Sequence, residues 1–284
     1  MIFTTKELFI RAAIGNYAIG AFNVSTPEAI RGVLEAAEEL NSPVIIETSE
    51  GEMGYMGSKV VADIVRGLAT DLSIPVALHL DHGQSLDSVK KAIGAGYTSV
   101  HIDGSALEYD ENVALTKQVM EYAHDRGVTV EGELGHIGGV SEIHTESSKI
   151  EPSTYTDPEM AKFFVEETGI DVLASSIGNV HGIYKNEPEL DFDRLKKIGK
   201  IGVPLSFHGG SGISEVNIKK AISLGVTKVN VNTELRVAYT ETLRRELIAD
   251  TEVEIPYKYL PKTIAAVKKV VKEKIKIFGS ENKA

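Results

Sequence analysis

Val76-Ala-Leu-His-Leu80 is a short apolar run, Leu86–Ala95 follows with helical periodicity, and Ser99-Val-His-Ile-Asp103 is a second β-branched run. Strands buried on both faces read as near-continuous apolar runs, whereas half-solvated strands alternate. The segment therefore predicts a strand, a helix and a second strand parallel to the first. The same unit recurs along the chain, with further strand candidates at Tyr17–Phe22, Val44–Thr48, Thr129–Glu133, Val172–Ile177, Pro204–His208 and Thr227–Val231. Other helical patterns lie between them, at Glu28–Glu39, Lys59–Leu72, Glu111–Arg126 and Val216–Leu224. Thr26-Pro27 and Asp157-Pro158 each read as an N-cap residue followed by proline at the first helical position. Glycines 94, 96, 127, 169 and 225 fall at helix ends, where a left-handed cap is expected.

Eight strand–helix pairs without a break in composition predict an α/β fold. We read it as a single (β/α)8 TIM barrel, residues 1–284 forming one domain, with an open doubly wound sheet as the rival. An extra C-terminal helix is expected at Pro261–Phe278, its Lys-rich face solvated. A length of 284 residues, 42% hydrophobic and 25% charged, suits one barrel with an ample core. No run reaches the roughly 18 apolar residues of a membrane span, and the first residues lack a signal-peptide core. The expectation is a cytoplasmic protein with no membrane partner. Lys and Arg number 30 against 41 Asp and Glu, a net charge of −11, so no broad basic face for nucleic acid is expected. With no cysteine, a metal site must use His, Asp, Glu or backbone oxygens.

A barrel places its active site at the C-terminal strand ends, and here those ends are polar throughout. They carry Asn23 and Ser25, Ser49, Asp81 and His82, Asp103 and Ser105, Glu133, Gly178–Gly182, His208–Gly212 and Asn230–Thr233. His82, His181 and His208 come from three separate strands. Imidazoles converging this way make a tridentate site for a zinc-like ion with one coordination position left for substrate. Of the other histidines, His124 reads as structural on a helix and His79 as core or supporting. His101 stays open between the two, and His136 and His144 read as loop surface. Gly209, Gly210 and Ser211, with Asn230, Val231, Asn232 and Thr233, occupy the loops where barrels bind phosphate through backbone N–H groups. A Lewis-acid metal beside a phosphate cradle suggests carbonyl chemistry on a sugar phosphate. Asp81 either moves a proton for the substrate or hydrogen-bonds a metal ligand. Leu134–Tyr155 has little periodicity and reads as a lid, with Glu142 and Glu146 as candidate bases.

Leu80-Asp81-His82-Gly83, Glu131-Gly-Glu133-Leu-Gly135, Gly178-Asn-Val-His181-Gly182, His208-Gly-Gly-Ser-Gly212 and Asn230-Val-Asn-Thr-Glu234 resemble, in order, the motifs of class II (zinc-dependent) ketose-bisphosphate aldolases. That family includes the fructose-1,6-bisphosphate and tagatose-1,6-bisphosphate enzymes. The resemblance runs from about Tyr17 to Ser280 and implies a (β/α)8 barrel. It also implies a catalytic zinc (Zn2+) on His82, His181 and His208, and a second divalent ion on Asp103 and Glu133. Asp81 would exchange a proton with the C4 hydroxyl. Gly182, Gly209, Gly210, Ser211 and Asn230–Thr233 would bind the dihydroxyacetone phosphate half, with Ser49 serving the aldehyde half and Asn23 also counted among the substrate-binding residues. A monovalent cation (Na+ or K+) near the phosphate and a homodimer or homotetramer are implied as well.

Two positions depart from the family pattern. The lid glutamate usually follows Gly-Gly-x, whereas here Gly138-Gly139-Val140-Ser141-Glu142 places it one residue late. Where relatives carry an arginine before the last helix, this chain has Ile255-Pro256-Tyr257, followed by Lys258. Lys228, the one lysine inside a strand candidate, reads as structural, which argues against Schiff-base chemistry. Asn232 is the fructose-type residue, whereas Glu234-Leu235 is closer to the tagatose type. Fructose 1,6-bisphosphate is the preferred substrate, with its C4 epimer or another aldehyde partner as the alternative and a non-catalytic sugar-phosphate-binding barrel as the rival.

Overall fold

The computed structural model describes residues 2–148 and 151–284. The strands are β1 (Ile19–Asn23), β2 (Val44–Ser49), β3 (Val76–Gly83), β4 (Ser99–Ile102), β5 (Thr129–Leu134), β6 (Gly139–Ile143), β7 (Val172–Ser175), β8 (His181–Ile183), β9 (Leu205–Phe207) and β10 (Val226–Val231). The helices are α1 (Thr5–Gly15), α2 (Pro27–Glu39), α3 (Glu50–Met56), α4 (Ser58–Ala69), α5 (Leu86–Ala95), α6 (Tyr109–His124), α7 (Pro158–Thr168), α8 (Phe192–Ile198), α9 (Glu215–Ser223), α10 (Thr233–Ala249) and α11 (Pro256–Phe278).

A closed barrel runs in the order β1-β10-β9-β7-β5-β4-β3-β2, every pairing parallel. Closure, with Ile19 opposite Lys228 and Ala21 opposite Ile45, excludes the open sheet. All eight expected strands are present, within two residues at each end except that β3 runs three residues further, to Gly83. Thr26 caps α2 by accepting from Ala29 N–H (3.1 Å), and Asp157 caps α7 by accepting from Glu159 and Met160 (2.9 and 3.0 Å), each ahead of proline.

Alternation along the strands sorts the lumen into levels. At the bottom, Ile19, Ile45, Ala77 and Val172 pack with Leu8, Phe9 and Ala12 of α1, which plugs the N-terminal end. Two residues beyond Ile45 and Ala77 stand Glu47 and His79, and Lys228 and Glu131, paired with Ile19 and Val172, join them in the lumen, all fully buried or nearly so. Above these, at the C-terminal mouth, stand Asp81, Glu133 and Asn230. The outward-facing apolar residues join the helices in the main core.

Several sequence expectations change. Gly94 lies inside α5 with no left-handed backbone, because Gly96 (φ 104°) supplies the cap. The last helix starts at Pro256, and Pro261 sits within it. Pro256 takes the first helical position, where its missing N–H costs nothing, so Pro261 removes a single bond near a solvated end. The lysine face of α11 is only partly solvated. Lys272 pairs with Glu39 (3.0 Å) on α2, and Lys274, nearly buried, donates to Glu234 (2.7 Å). α11 and α2 approach closely at Gly32, where a Cβ would come within 2.9 Å of the Ile264 carbonyl. The stretch Leu134–Tyr155 is not structureless: β6 within it pairs in parallel with β8. Five mostly exposed residues with two apolar side chains leave no periodicity to read. Lys149 and Ile150 of this stretch lie outside the described residues. Among the described residues, no helix is long and apolar enough to cross a membrane.

Candidate active site

β3 carries the decisive irregularity. Its pairing with β4 shifts register between Leu80 and Gly83, and His82 at the bulge has φ 48°. Left-handed backbone is costly for a residue with a full side chain, so something must hold it. His101 on β4 does so, its Nδ1 accepting the His82 backbone N–H at 3.2 Å. The bulge lets consecutive residues Asp81 and His82 both face the mouth, where a regular strand would send one outward.

The three expected imidazoles converge. Ring centroids are 4.7 Å apart for His82–His208, 4.9 Å for His82–His181 and 6.0 Å for His181–His208. His82 Nε2 and His208 Nδ1 lie 3.1 Å apart, so both nitrogens face one point. Their other nitrogens are anchored on carboxylates, His82 Nδ1 to Asp103 (2.8 Å) and His208 Nε2 to Glu131 (2.7 Å). Such anchoring fixes the ring and tautomer of a metal-ligating histidine. Glu131 is in turn held by Lys228, whose Nζ lies 2.8 Å from Oε2. Both are buried, so removing either would leave a buried charge without its nearest partner, at a cost of roughly 3–5 kcal/mol. This is the structural place expected of Lys228.

Burial pulls the His208 imidazole down to about 3, helped by the Lys228 and His82 charges against Glu131. Burial and the His82 charge bring His181 down to about 4. These two rings are therefore neutral near pH 7 and offer lone pairs. His82 behaves oppositely: burial opposes its charge, but Asp81, the Asp103 hydrogen bond and Glu133 raise it to about 10. Burial likewise opposes the charge of Asp81, but the His82 and His208 imidazoles hold its carboxyl well below the usual range. Burial and Asp103 push Glu133 up to about 8.

The donor set fits a divalent cation. Nitrogen and oxygen atoms of Asp81, His82, His101 and His208 lie within 4.8 Å of one another, as do those of His82, Asp103 and Glu133. His101 Nε2 and Glu133 Oε2 are buried without a hydrogen-bond partner. A cation would relieve the concentration of carboxylate here and displace the proton His82 holds.

A cleft of about 370 Å³ opens over this floor. Among the expected residues, Asn23, Ser49, Asp81, His82, Asp103, His181, Gly182, Gly209, Ser211, Asn230, Asn232 and Thr233 line it. His208 and Glu133 lie beneath, fully buried or nearly so. Asp81 accepts from Asn23 (3.0 Å) and Asn230 (3.2 Å), which aim its carboxylate across the mouth. Gly209 has φ 70°, and a Cβ there would stand 2.0 Å from the Val180 carbonyl, so only glycine can close this wall. Gly210 donates its N–H to the Asn230 carbonyl (2.9 Å), joining the two loops beside the N-terminus of α10. Val231 is buried with its side chain in the outer core, so only its backbone serves the loop.

The lid differs from the sequence reading. Gly139, Val140 and Ser141 line the cleft, whereas Glu142, the next residue of β6, is exposed and stands outside it. His144 stacks on Tyr184 (4.2 Å between centroids) and bonds the Val140 carbonyl (2.9 Å), clasping β6 to β8. Tyr257 is exposed and is not part of the cleft wall. His124 pairs with Asp171 (2.8 Å), and His79 sits in the lumen against Ser99 (2.7 Å), both in structural places. Residues the sequence did not single out are Glu131, Gln84, Glu52 and Arg236. For Glu131 a signal existed, since it lies two before Glu133 and so shares its face. Glu52 and Arg236 meet only in three dimensions.

A closed parallel barrel with anchored imidazoles and a glycine cradle at its C-terminal mouth is the architecture of a metal-assisted enzyme acting on a phosphorylated ligand. The family model described as fructose-bisphosphate aldolase class-II matches residues 3–283. A fructose-bisphosphate aldolase of Staphylococcus aureus is 47% identical over 283 residues, covering 98% of both chains. One from Geobacillus stearothermophilus is also 47% identical, over 98% of this chain and 97% of its own. The crystal structure of the YdjI aldolase of Escherichia coli superposes with a TM-score of 0.87 at 36% identity, covering 100% of both chains. That of a Campylobacter jejuni fructose-bisphosphate aldolase gives 0.82 at 26% identity, over 100% of this chain and 97% of its own. The chain belongs to the class-II fructose-bisphosphate aldolase family, and is thereby a metal-dependent carbon–carbon lyase.

Proposed function

We propose that this enzyme reversibly cleaves fructose 1,6-bisphosphate to dihydroxyacetone phosphate and glyceraldehyde 3-phosphate, with residues 1–284 acting as one catalytic domain. The observation that carries the reading is the meeting of His82, His181 and His208 beside a glycine-walled cradle, with Asp81 aimed between them. Bound by the three histidines, zinc would supply the Lewis acidity that polarises the C2 carbonyl. The chain does the rest. Gly182, Gly209, Ser211 and the Asn230–Thr233 turn hold the ketose phosphate, drawing on backbone N–H groups at the α10 N-terminus, with Gly210 tying the two loops together. Asp81, ionised and oriented by Asn23 and Asn230, takes the C4 hydroxyl proton as the C3–C4 bond breaks and returns it in condensation. Ser49 faces the aldehyde half.

At C3 a proton must come from the lid, and Glu142 is the carboxylate closest to the family position. It takes the cleft-lining place of Ser141 if β6 slips by one residue. The irregular pairing between Gly139 and Ile143 supports such a slip. The same reading includes a second divalent ion at Asp103 and Glu133, a monovalent cation (Na+ or K+) beside the phosphate loops, a cytoplasmic location, and a homodimer or homotetramer.

The test is an aldol-cleavage assay on fructose and tagatose 1,6-bisphosphates, after chelation and after zinc is restored. Zinc-dependent cleavage with the higher kcat/KM for fructose is expected. A ratio favouring tagatose would replace the sugar, and tight sugar-phosphate binding with no cleavage would make the barrel a non-catalytic binder.

A further inference from the structure

Among the described residues lining the cleft, Arg236 is the only lysine or arginine. It stands in the first turns of α10, just past the phosphate-loop residues Asn230–Thr233. Its Nη2 donates to Glu52 Oε1 (3.1 Å), and its Nη1 to the Ser141 carbonyl (3.3 Å). Glu52 is buried and pinned, accepting from Ser49 N–H (2.8 Å), Ser49 Oγ (3.1 Å) and Asn23 Nδ2 (3.2 Å). The guanidinium is thus fixed at the Asn23–Ser49 side of the cleft while its side chain stays 44% exposed. These two contacts use two of the five N–H donors of an arginine.

We propose that Arg236 is the specificity-determining residue for the aldehyde half, reading an anionic terminal group such as a phosphate monoester. The inference rests on the aldolase reading above. The glycine cradle can neutralise one phosphate through backbone dipoles, but a second dianion in the same cleft needs a cation. Arg236 is the one such group at its wall, and it borders Ser49. A guanidinium can grip phosphate through two parallel N–H···O bonds, and the buried Glu52 has already restricted its rotamers, so little further ordering is needed. Glu52 therefore positions the cation. The Ser141 contact ties the same side chain to the lid, so an anion drawn to Arg236 also meets β6. The cation comes from within this chain, on α10, and not from the segment around Tyr257.

The test runs the zinc-loaded enzyme in the condensation direction, with dihydroxyacetone phosphate and either glyceraldehyde 3-phosphate or glyceraldehyde. Arg236→Met should lower kcat/KM for the phosphorylated aldehyde by about 10- to 100-fold, mainly through KM, the scale of one charge-assisted contact. Its effect on glyceraldehyde should be several-fold smaller, so the preference for the phosphorylated aldehyde collapses. Arg236→Lys, which keeps the charge and loses the fork, should fall between, and it serves if the methionine variant melts early. Equal losses with both aldehydes would make Arg236 a structural tie, and an unchanged preference would place recognition elsewhere; either overturns the inference while the aldolase reading stands. Wild-type enzyme that condenses neither aldehyde would instead overturn the aldolase reading, and this inference with it.

Discussion

The cleft has two walls of different construction. The floor and cradle wall is made of barrel strand ends, buried side chains and glycines that admit no Cβ, with His82 held from behind by Asp103 and His181 contributed by β8. His208 leans on Glu131, and Glu131 on Lys228. The lid wall is β6, a short and largely exposed strand that touches the barrel chiefly through β8, the His144–Tyr184 stack and Arg236. One wall is over-determined and the other is held by a few contacts. Geometry that must stay fixed sits on the first, and the part that must admit substrate sits on the second.

Substitutions on each wall test that contrast. The largest effect belongs to His208→Ala, which should remove the bound zinc and bring activity to background; metal analysis of the purified variant checks it, and full zinc occupancy would break the picture of the floor. Asp81→Ala comes next. It should keep its metal and lose about 10²- to 10⁴-fold in kcat, as expected for a group that moves a proton in the transition state. Near-normal turnover would move that role to another residue. On the lid, Glu142→Gln should cost about 10²-fold in kcat, with KM and metal content unchanged. An unaltered rate would leave Glu142 as a surface carboxylate and rule out the one-residue slip of β6.

The smallest effect is a pH slope. His82 in the metal-free protein is raised to about 10, so near neutrality it carries a proton that the metal must displace. Zinc affinity, measured by competition with a chelating indicator, should therefore rise about tenfold per pH unit between pH 7 and 8. A flat profile would show that His82 is already neutral there.

The eight barrel strands were legible because each is a buried run, and a run buried on both faces announces itself in any order of reading. The meeting of His82, His181 and His208 was legible for a related reason: once the strand ends were known, the mouth of the barrel was known. β6 was not legible, since a strand of five mostly exposed residues leaves no hydrophobic imprint. Glu142 shows the consequence. Counting along the chain brings it to the lid, but the stretch of β6 that lines the cleft ends at Ser141 and leaves Glu142 exposed. Arg236 shows the converse, a residue with no motif of its own that acquires a place from a carboxylate far off in the chain.

By itself the sequence determined the parallel barrel, the strand ends that carry the chemistry and the family to which they belong, because burial and period-2 alternation are local properties written residue by residue. Tertiary structure alone decided the left-handed bulge at His82, the run of support from Lys228 through Glu131 to His208, the facing of Ser141 and the setting of Arg236 on Glu52. Each depends on residues from different strands or helices meeting at hydrogen-bond distance, and separation along the chain carries no information about that meeting.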